Sequence, residues 1–548
     1  MPFRQLTFWD WIALAGYFGV LWAIGWRWAG KGKDPATYFL AGRNVGWIPV
    51  GASLFISNIS TEHVVGLAGA GARSGLAAGQ FEWLACPILL LLGWWLAPYY
   101  LRLKLYTMPE YVKRRYGQGP ALLLSLTTVV TYVLTKVSVH LYAAFLILSP
   151  LVGWSPILTS IFLVGCTGLY TVAGGLGAVI YADLFQTVIL LAGSFILTWL
   201  GLQELGGLAN LRRVLPATHF AVWRPASDPD YPWTGIVFGA PILGFWYWCT
   251  DQSIVQRVLA ARDSEHARAG AILAGFLKLL PVFLFVLPGM IARALFPSEL
   301  LGNSTTGDRT DLAYVFLVTR LLPPGLVGFS LAGMLAALMG AMSAVFNSTS
   351  TLLTMDFYRK LRPAASQREL VQVGRWLTLV TVVLGILWSP LIPHLRGGLF
   401  LYLQKMQAYL SPPIAACFLW GMLSAKPNEG GAWVCLTIGL ALGLARIGLE
   451  LTDPFVTFHN PVVRAWIDLP FLHYATFLFV LSSALLWTAS TSRRLGSGKR
   501  IPAPNLPLVR IGETTCPEHP QTTPSWKIHL LASLLLLLVL ICLWMYFA

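Results

Sequence analysis

The chain has 548 residues, 56% of them hydrophobic and 11% charged, with a formal net charge of +15 and a mean hydropathy of +0.66. Soluble domains carry roughly 25% charged residues, so this balance, with 23 Trp and 29 Phe, excludes an ordinary water-soluble enzyme and makes the bilayer the solvent for most of the surface. The Lys and Arg residues are spread between apolar runs, as membrane topology requires, and indicate no nucleic-acid partner.

Apolar runs of about 17 to 25 residues recur fourteen times, centred near residues 18, 57, 90, 136, 165, 191, 246, 281, 341, 383, 411, 440, 479 and 537. The first, from Phe8 to Trp28, lacks a small-residue cleavage site and reads as a retained span. With the N-terminus outside, Lys and Arg concentrate in the inner loops, Arg43, Lys104, Arg115, Arg257 and Arg262 among them. Fewer fall outside, where Arg73, Arg293, Arg396, Arg446 and Arg464 lie. The positive-inside rule then places both termini outside. The longest loops, near 205–233 and 296–323, are too short to fold alone, so the chemistry belongs in the membrane. Thr491 to Pro524, rich in Ser, Pro, Thr and basic residues, reads as a flexible inner linker before the last span. Six of the seven cysteines lie in apolar stretches without CxxC spacing, which argues against a disulfide framework or a structural zinc site.

The second span, GASLFISNISTEHVVGLAGAGA, places Ser57, Asn58, Ser60, Thr61, Glu62 and His63 at mid-membrane depth. Either its polar groups staple it to neighbouring helices, or it unwinds and its freed carbonyls coordinate a cation. Unwinding is favoured, because Gly51, Gly66, Gly69 and Gly71 ease irregular backbone and a Glu-His pair is costly there unless used. The run from Tyr247 to Ser253 interrupts the seventh span in the same way. Each interruption opens a block of five spans, the sequence pointer to an inverted-repeat transporter with its site at the midplane.

Further intramembrane polar residues are Glu82, Lys136, His140, Asp183, Lys278, Gln404, Lys405 and Gln407. Structural ion pairing accounts for Lys136 and Lys405. Glu82, Lys278 and Gln404 are single polar groups in apolar helices, suited to ring a polyhydroxylated ligand whose C–H faces pack on Tyr247 and Trp248. The Gly69 to Gly75 run reads as an external turn, since no strand precedes it to make a phosphate loop. Asn303-Ser304-Thr305 is a glycosylation sequon in an outer loop, whereas Asn347 in the ninth span reads as a packing residue. No metalloprotease, nucleophile-elbow or Walker signature supports an intramembrane enzyme.

At these same residues the chain resembles the sodium/solute symporter family, in its sodium/glucose cotransporter branch. The resemblance runs through YFLAGRNVGWIPVGASLFISNIS, GLAAGQFEW, YTMPEYVKRRYG, YTVAGGLGAVIYADLFQT, YWCTDQSIVQRVLAA, FNSTSTLLTMDFY and LSPPIAA, and so spans nearly the whole chain. It implies an all-α integral membrane protein of about 14 transmembrane helices, with inverted five-helix repeats of the leucine-transporter type and two broken helices. The implied organisation is a leading helix (1–30), a transporter core (31–425, repeats about 45–205 and 234–425), two trailing helices (426–490), the linker (491–525) and a last helix (526–548).

The resemblance further implies a plasma-membrane transporter of a monosaccharide or polyol, with sodium as coupling ion and no other cofactor. It assigns substrate contacts to Asn58, His63, Glu82, Tyr247, Trp248, Lys278 and Gln404, the inner gate to Tyr247 and the cation path to Asp183. Its cation site falls on carbonyls of Ile56, Ile59 and Ala337 and on two hydroxyl positions, occupied here by Gly340 and Ala341. Two oxygens are thus missing, which weakens sodium binding unless water or Ser343 substitutes. His140 stands where the sugar branch has an acidic residue. Proton coupling, uncoupled passage or a non-transporting sugar sensor therefore remain open beside sodium symport.

Overall fold

A computed structural model describes residues 5–60, 62–301, 309–388, 399–453, 460–491 and 524–548. Thr61, the 303–305 sequon, Arg396 and nearly all of the expected linker lie outside the described residues. Among the described residues the secondary structure is helical, with two isolated bridges joining Val45 to Ala261 and Arg224 to Pro232. All fourteen predicted centres fall on helical positions. Eight described helices are long and apolar enough to cross a membrane, and one of them, Pro156–Leu205, holds two predicted spans. Those two spans are separated by a kink at Gly175, whose φ of 59° suits glycine.

The first helix, Phe8–Trp28, starts with a capping box in which the Thr7 amide and hydroxyl both donate to Asp10 Oδ2, at 2.8 and 2.6 Å. The other Asp10 oxygen accepts from the amides of Gly325 and Gly328 at 2.7 and 2.8 Å, which caps the ninth span, Leu326–Leu352. One carboxylate thus fixes two helix starts.

The second span is broken as expected. Trp47–Asn58 ends at Ile59, whose extended φ and ψ are −69° and 109°, and winding resumes at Glu62–Leu67 and continues through Ala68–Ser74. The seventh span breaks in the same conformation, between Ala240–Thr250 and Gln252–Leu259, with Asp251 at −69° and 129°. Here the interruption is narrower than the sequence reading, which drew it from Tyr247 to Ser253. The Thr250 hydroxyl donates back to the Trp246 carbonyl at 2.7 Å and holds the last turn, so Tyr247 and Trp248 stay helical. Asp251 then caps the next helix by accepting from the Ser253 amide at 2.9 Å.

Other expectations are corrected. The eighth span pauses in a turn at 278–280, after Ser264–Leu277. Gly69 to Ser74 is helical, and the chain turns only at Gly75. Its glycines serve close approach, since a Cβ on Gly71 would stand 2.4 Å from the Val286 carbonyl oxygen and one on Gly69 2.9 Å from Asp311 Cα. The 296–323 loop contains the helix Ala313–Leu321. Arg257 and Arg446, read as loop charges, are buried within helices, because the apolar runs continue past them. In the packing, Trp47–Asn58 lies along Ser264–Leu277 and Ala68–Ser74 along Leu287–Leu295, so both halves of the second span rest on the eighth.

Candidate functional site

The pause in the eighth span lets Lys278 reach between the two breaks. Its ammonium donates to Asn58 Oδ1, at the end of the first half-helix, and to Glu82 Oε2 on the third span. The second Glu82 oxygen lies 3.0 Å from His63 Nε2. Because the Ser60 amide donates to His63 Nδ1 at 3.3 Å, Nε2 carries the proton and donates to the carboxylate. Glu82, Lys278 and His63 are buried, and the Lys278 ammonium sits 5.3 Å from the Trp248 ring centre. Charge pairing, amide and imidazole bonds and a cation–π contact together compensate for taking these charges out of water. Four separate stretches of chain are joined in one polar string.

That string forms one wall of a small cavity between the two breaks. Asn58, Glu82, Tyr247, Trp248, Lys278 and Gln404 all line it, so six of the seven expected substrate residues meet there. His63 stands behind Glu82. A second cavity lies across Tyr247 and is lined by Ser57, Lys136, His140, Asp251 and Ala341, among others. Asn58, Glu62, Tyr247 and Gln407 border both spaces, which places the Tyr247 ring in the partition.

Lys136 is an ion-pairing residue, as read. Its ammonium lies 3.2 Å from Asp251 Oδ2 and 3.1 Å from Ser253 Oγ, and the Tyr132 hydroxyl donates to Asp251 Oδ1 at 2.6 Å. This cluster ties the fourth span to the second break. Lys405 has a longer contact, 3.9 Å from Glu450.

The cation set is less complete. The Ser60 amide, turned to His63, no longer closes the helical bond to the Ile56 carbonyl, as a freed ligand requires. Across from it, a Cβ on Gly340 would stand 3.0 Å from the Ile56 side chain, so the ninth span approaches the break closely. Its one nearby hydroxyl, Ser343 Oγ, donates to the Gly340 carbonyl at 2.8 Å and is turned to its own helix. Ala341 carries a methyl group at an expected hydroxyl position, and Ala337 and Ile59, expected to act through their carbonyls, are both buried. Asp183 is fully buried, with Oδ2 accepting from Ser53 Oγ at 2.5 Å and lying 4.0 Å from Arg257. Arg257 in turn donates to Ser57 Oγ at 3.0 Å.

Sequence reasoning placed Asp251 in the break but gave it no role, and it missed Arg257 as the partner of Asp183. The DQSIVQR run held the signal, since an amphipathic continuation past Asp251 carries Arg257 back inside.

Residues 38–439 match the model of the sodium:solute symporter family. The chain is 40% identical over 514 residues to sodium/glucose cotransporter 1 of Ovis aries, covering 86% of this chain and 77% of that protein. It is likewise 40% identical over 521 residues to the sodium/mannose cotransporter SLC5A10 of Bos taurus, covering 89% and 87%. Sodium/myo-inositol cotransporter 2 of Sus scrofa is 39% identical over 520 residues, 89% and 77% of the two chains. Among solved structures, the substrate-bound, outward-open state of a Na+-coupled sialic acid symporter superposes with a TM-score of 0.76 at 20% identity, covering 88% of this chain and 98% of that one. The nucleobase-cation-symport-1 family transporter Mhp1 superposes with a TM-score of 0.54 at 15% identity, covering 87% and 99%. These two likenesses concern the fold.

Proposed function

Because the chain belongs to the sodium:solute symporter family, we propose that it is a multi-pass plasma-membrane transporter that carries a monosaccharide or polyol together with sodium by alternating access. The observation that carries this reading is the string Asn58–Lys278–Glu82–His63 on one wall of a cavity that Trp248, Tyr247 and Gln404 complete. A sugar needs donors and acceptors for its hydroxyls and an aromatic face for its C–H side, and this wall offers both. Lys278 and Gln404 donate, Glu82 and Asn58 accept, and Trp248 stacks. Tyr247 closes the route into the inner cavity. The moving units are the two repeats, about 45–205 and 234–425, which rock about the site. Nothing in this cycle requires a bond to be made or broken in the solute, so the protein acts without an enzymatic step.

Purified protein in liposomes should take up radiolabelled glucose, mannose or myo-inositol saturably, and an inward sodium gradient should drive accumulation. Absence of saturable flux for every sugar and polyol tried would refute the reading. A second reading, passage coupled to protons or to no ion, is favoured by the methyl and hydrogen side chains at Ala341 and Gly340 and by the turned Ser343 hydroxyl. Flux that is indifferent to sodium at fixed pH selects it.

A further inference from the structure

Among the described residues, the charges that line the two cavities are matched in pairs, with one left over. Lys278 is held by Glu82 and Asn58, and Lys136 by Asp251 and Ser253. Glu62 borders both cavities, and no described residue hydrogen bonds to its carboxylate. Its backbone amide donates to Ser60 Oγ at 3.1 Å, which fixes it where winding resumes after the break. The groups that act on it electrostatically are His63, Glu82, Lys136 and Lys278, and both ammonium groups are already engaged elsewhere.

An ionised carboxylate at mid-membrane depth is expensive without a counter-charge. A position in the first turn of a helix offsets part of that cost, but does not fill the space in front of the side chain. His140 makes a second, independent observation in the inner cavity. It is 5% exposed and lines the cavity, its Nδ1 is bound to the Lys136 carbonyl, and its Nε2 has no partner among the described residues. Ala341, on the same lining, offers a methyl group.

We propose that Glu62 supplies the anionic ligand for a monovalent coupling cation, sodium or a proton, at the partition between the two cavities, with His140 on the same inner lining. The proposal rests on the transport reading above. In that position the cation neutralises Glu62 beside Tyr247 and next to the substrate wall, so its arrival and the sugar's are felt by the same backbone break. A proton there would be shared with a neighbourhood of His63, His140, Glu82, Asp251, Lys136 and Lys278. A sodium ion would draw its remaining oxygens from water and from the freed carbonyls of the break.

The test separates exchange from driven uptake in the full chain reconstituted in liposomes. Exchange of radiolabelled glucose or myo-inositol under equal ions reads the pathway alone. Accumulation under a sodium gradient at fixed pH, and under a pH gradient without sodium, reads coupling and identifies the cation. In Glu62→Gln, exchange should remain measurable while the half-saturating cation concentration rises roughly tenfold or more, as for loss of one charged ligand. Glu62→Asp should show a smaller rise, and carries the test if the glutamine variant does not fold. Unaltered half-saturation in either folded variant overturns the proposal, as does exchange in the unsubstituted chain that neither gradient can drive uphill. Lack of any exchange in the unsubstituted chain overturns the transport reading instead.

Discussion

At the scale of single residues, the site depends on a charge that cannot be left alone. Lys278 and Glu82 are both almost wholly buried, so removing one strands the other. Lys278→Met and Glu82→Gln should each cost about 3–5 kcal/mol of stability, whereas the two changes together should cost less than their sum. Thermal unfolding in detergent, read as a double-mutant cycle, checks this. Gln404→Ala removes a neutral partner only, and should raise KM for the sugar about tenfold with little change in the maximal rate. These residues were legible because each is a polar group set within a strongly apolar run at mid-membrane depth. Arg257 was not, since spacing along the chain places a charge beyond the end of an apolar run, and only the three-dimensional path shows Ser57 and Asp183 waiting for it.

At the scale of elements, the breaks at Ile59 and Asp251 decide what the helices can do. Both were visible as polar runs inside apolar ones, and the first was marked further by glycine. The pause at 278–280 was not, because its flanks are apolar and its one sign, Pro281, also suits the start of the following turn. Gly175 marks a different kind of element boundary. A Cβ there would sit 2.5 Å from the Tyr38 carbonyl oxygen, and the positive φ penalises any side chain. Gly175→Ala should therefore lower the unfolding temperature and the yield of folded protein, while Gly165→Ala, which meets nothing within 4 Å, should leave both unchanged.

At the scale of the whole molecule, the question is what drives the cycle. The ninth span approaches the first break closely at Gly340 but brings no side-chain oxygen toward it there. Gly340→Ser combined with Ala341→Ser should add two, and so lower the sodium concentration that half-saturates uptake; an unchanged value would locate the cation elsewhere. The added Cβ on Gly340 meets Ile56 Cγ1 at 3.0 Å, so a small shift of that side chain accompanies the gain. The architecture itself was legible from hydropathy and resemblance. The content of the inner cavity was not, because it is assembled from the second, fourth, seventh, ninth and eleventh spans, which no local pattern brings together.

Both fragments of the second span are seated on the eighth, one through Gly51 and Gly270 and the other through Gly71 and Gly289, where added methyl groups would strike backbone or close side-chain atoms. The two seats lie on either side of the turn at 278–280, so the two fragments are joined through the eighth span as well as through the unwound stretch. A covalent tether between either fragment and the eighth span should then leave the turnover rate intact, whereas one from Trp47–Asn58 to the ninth span, on which it packs, should halt it.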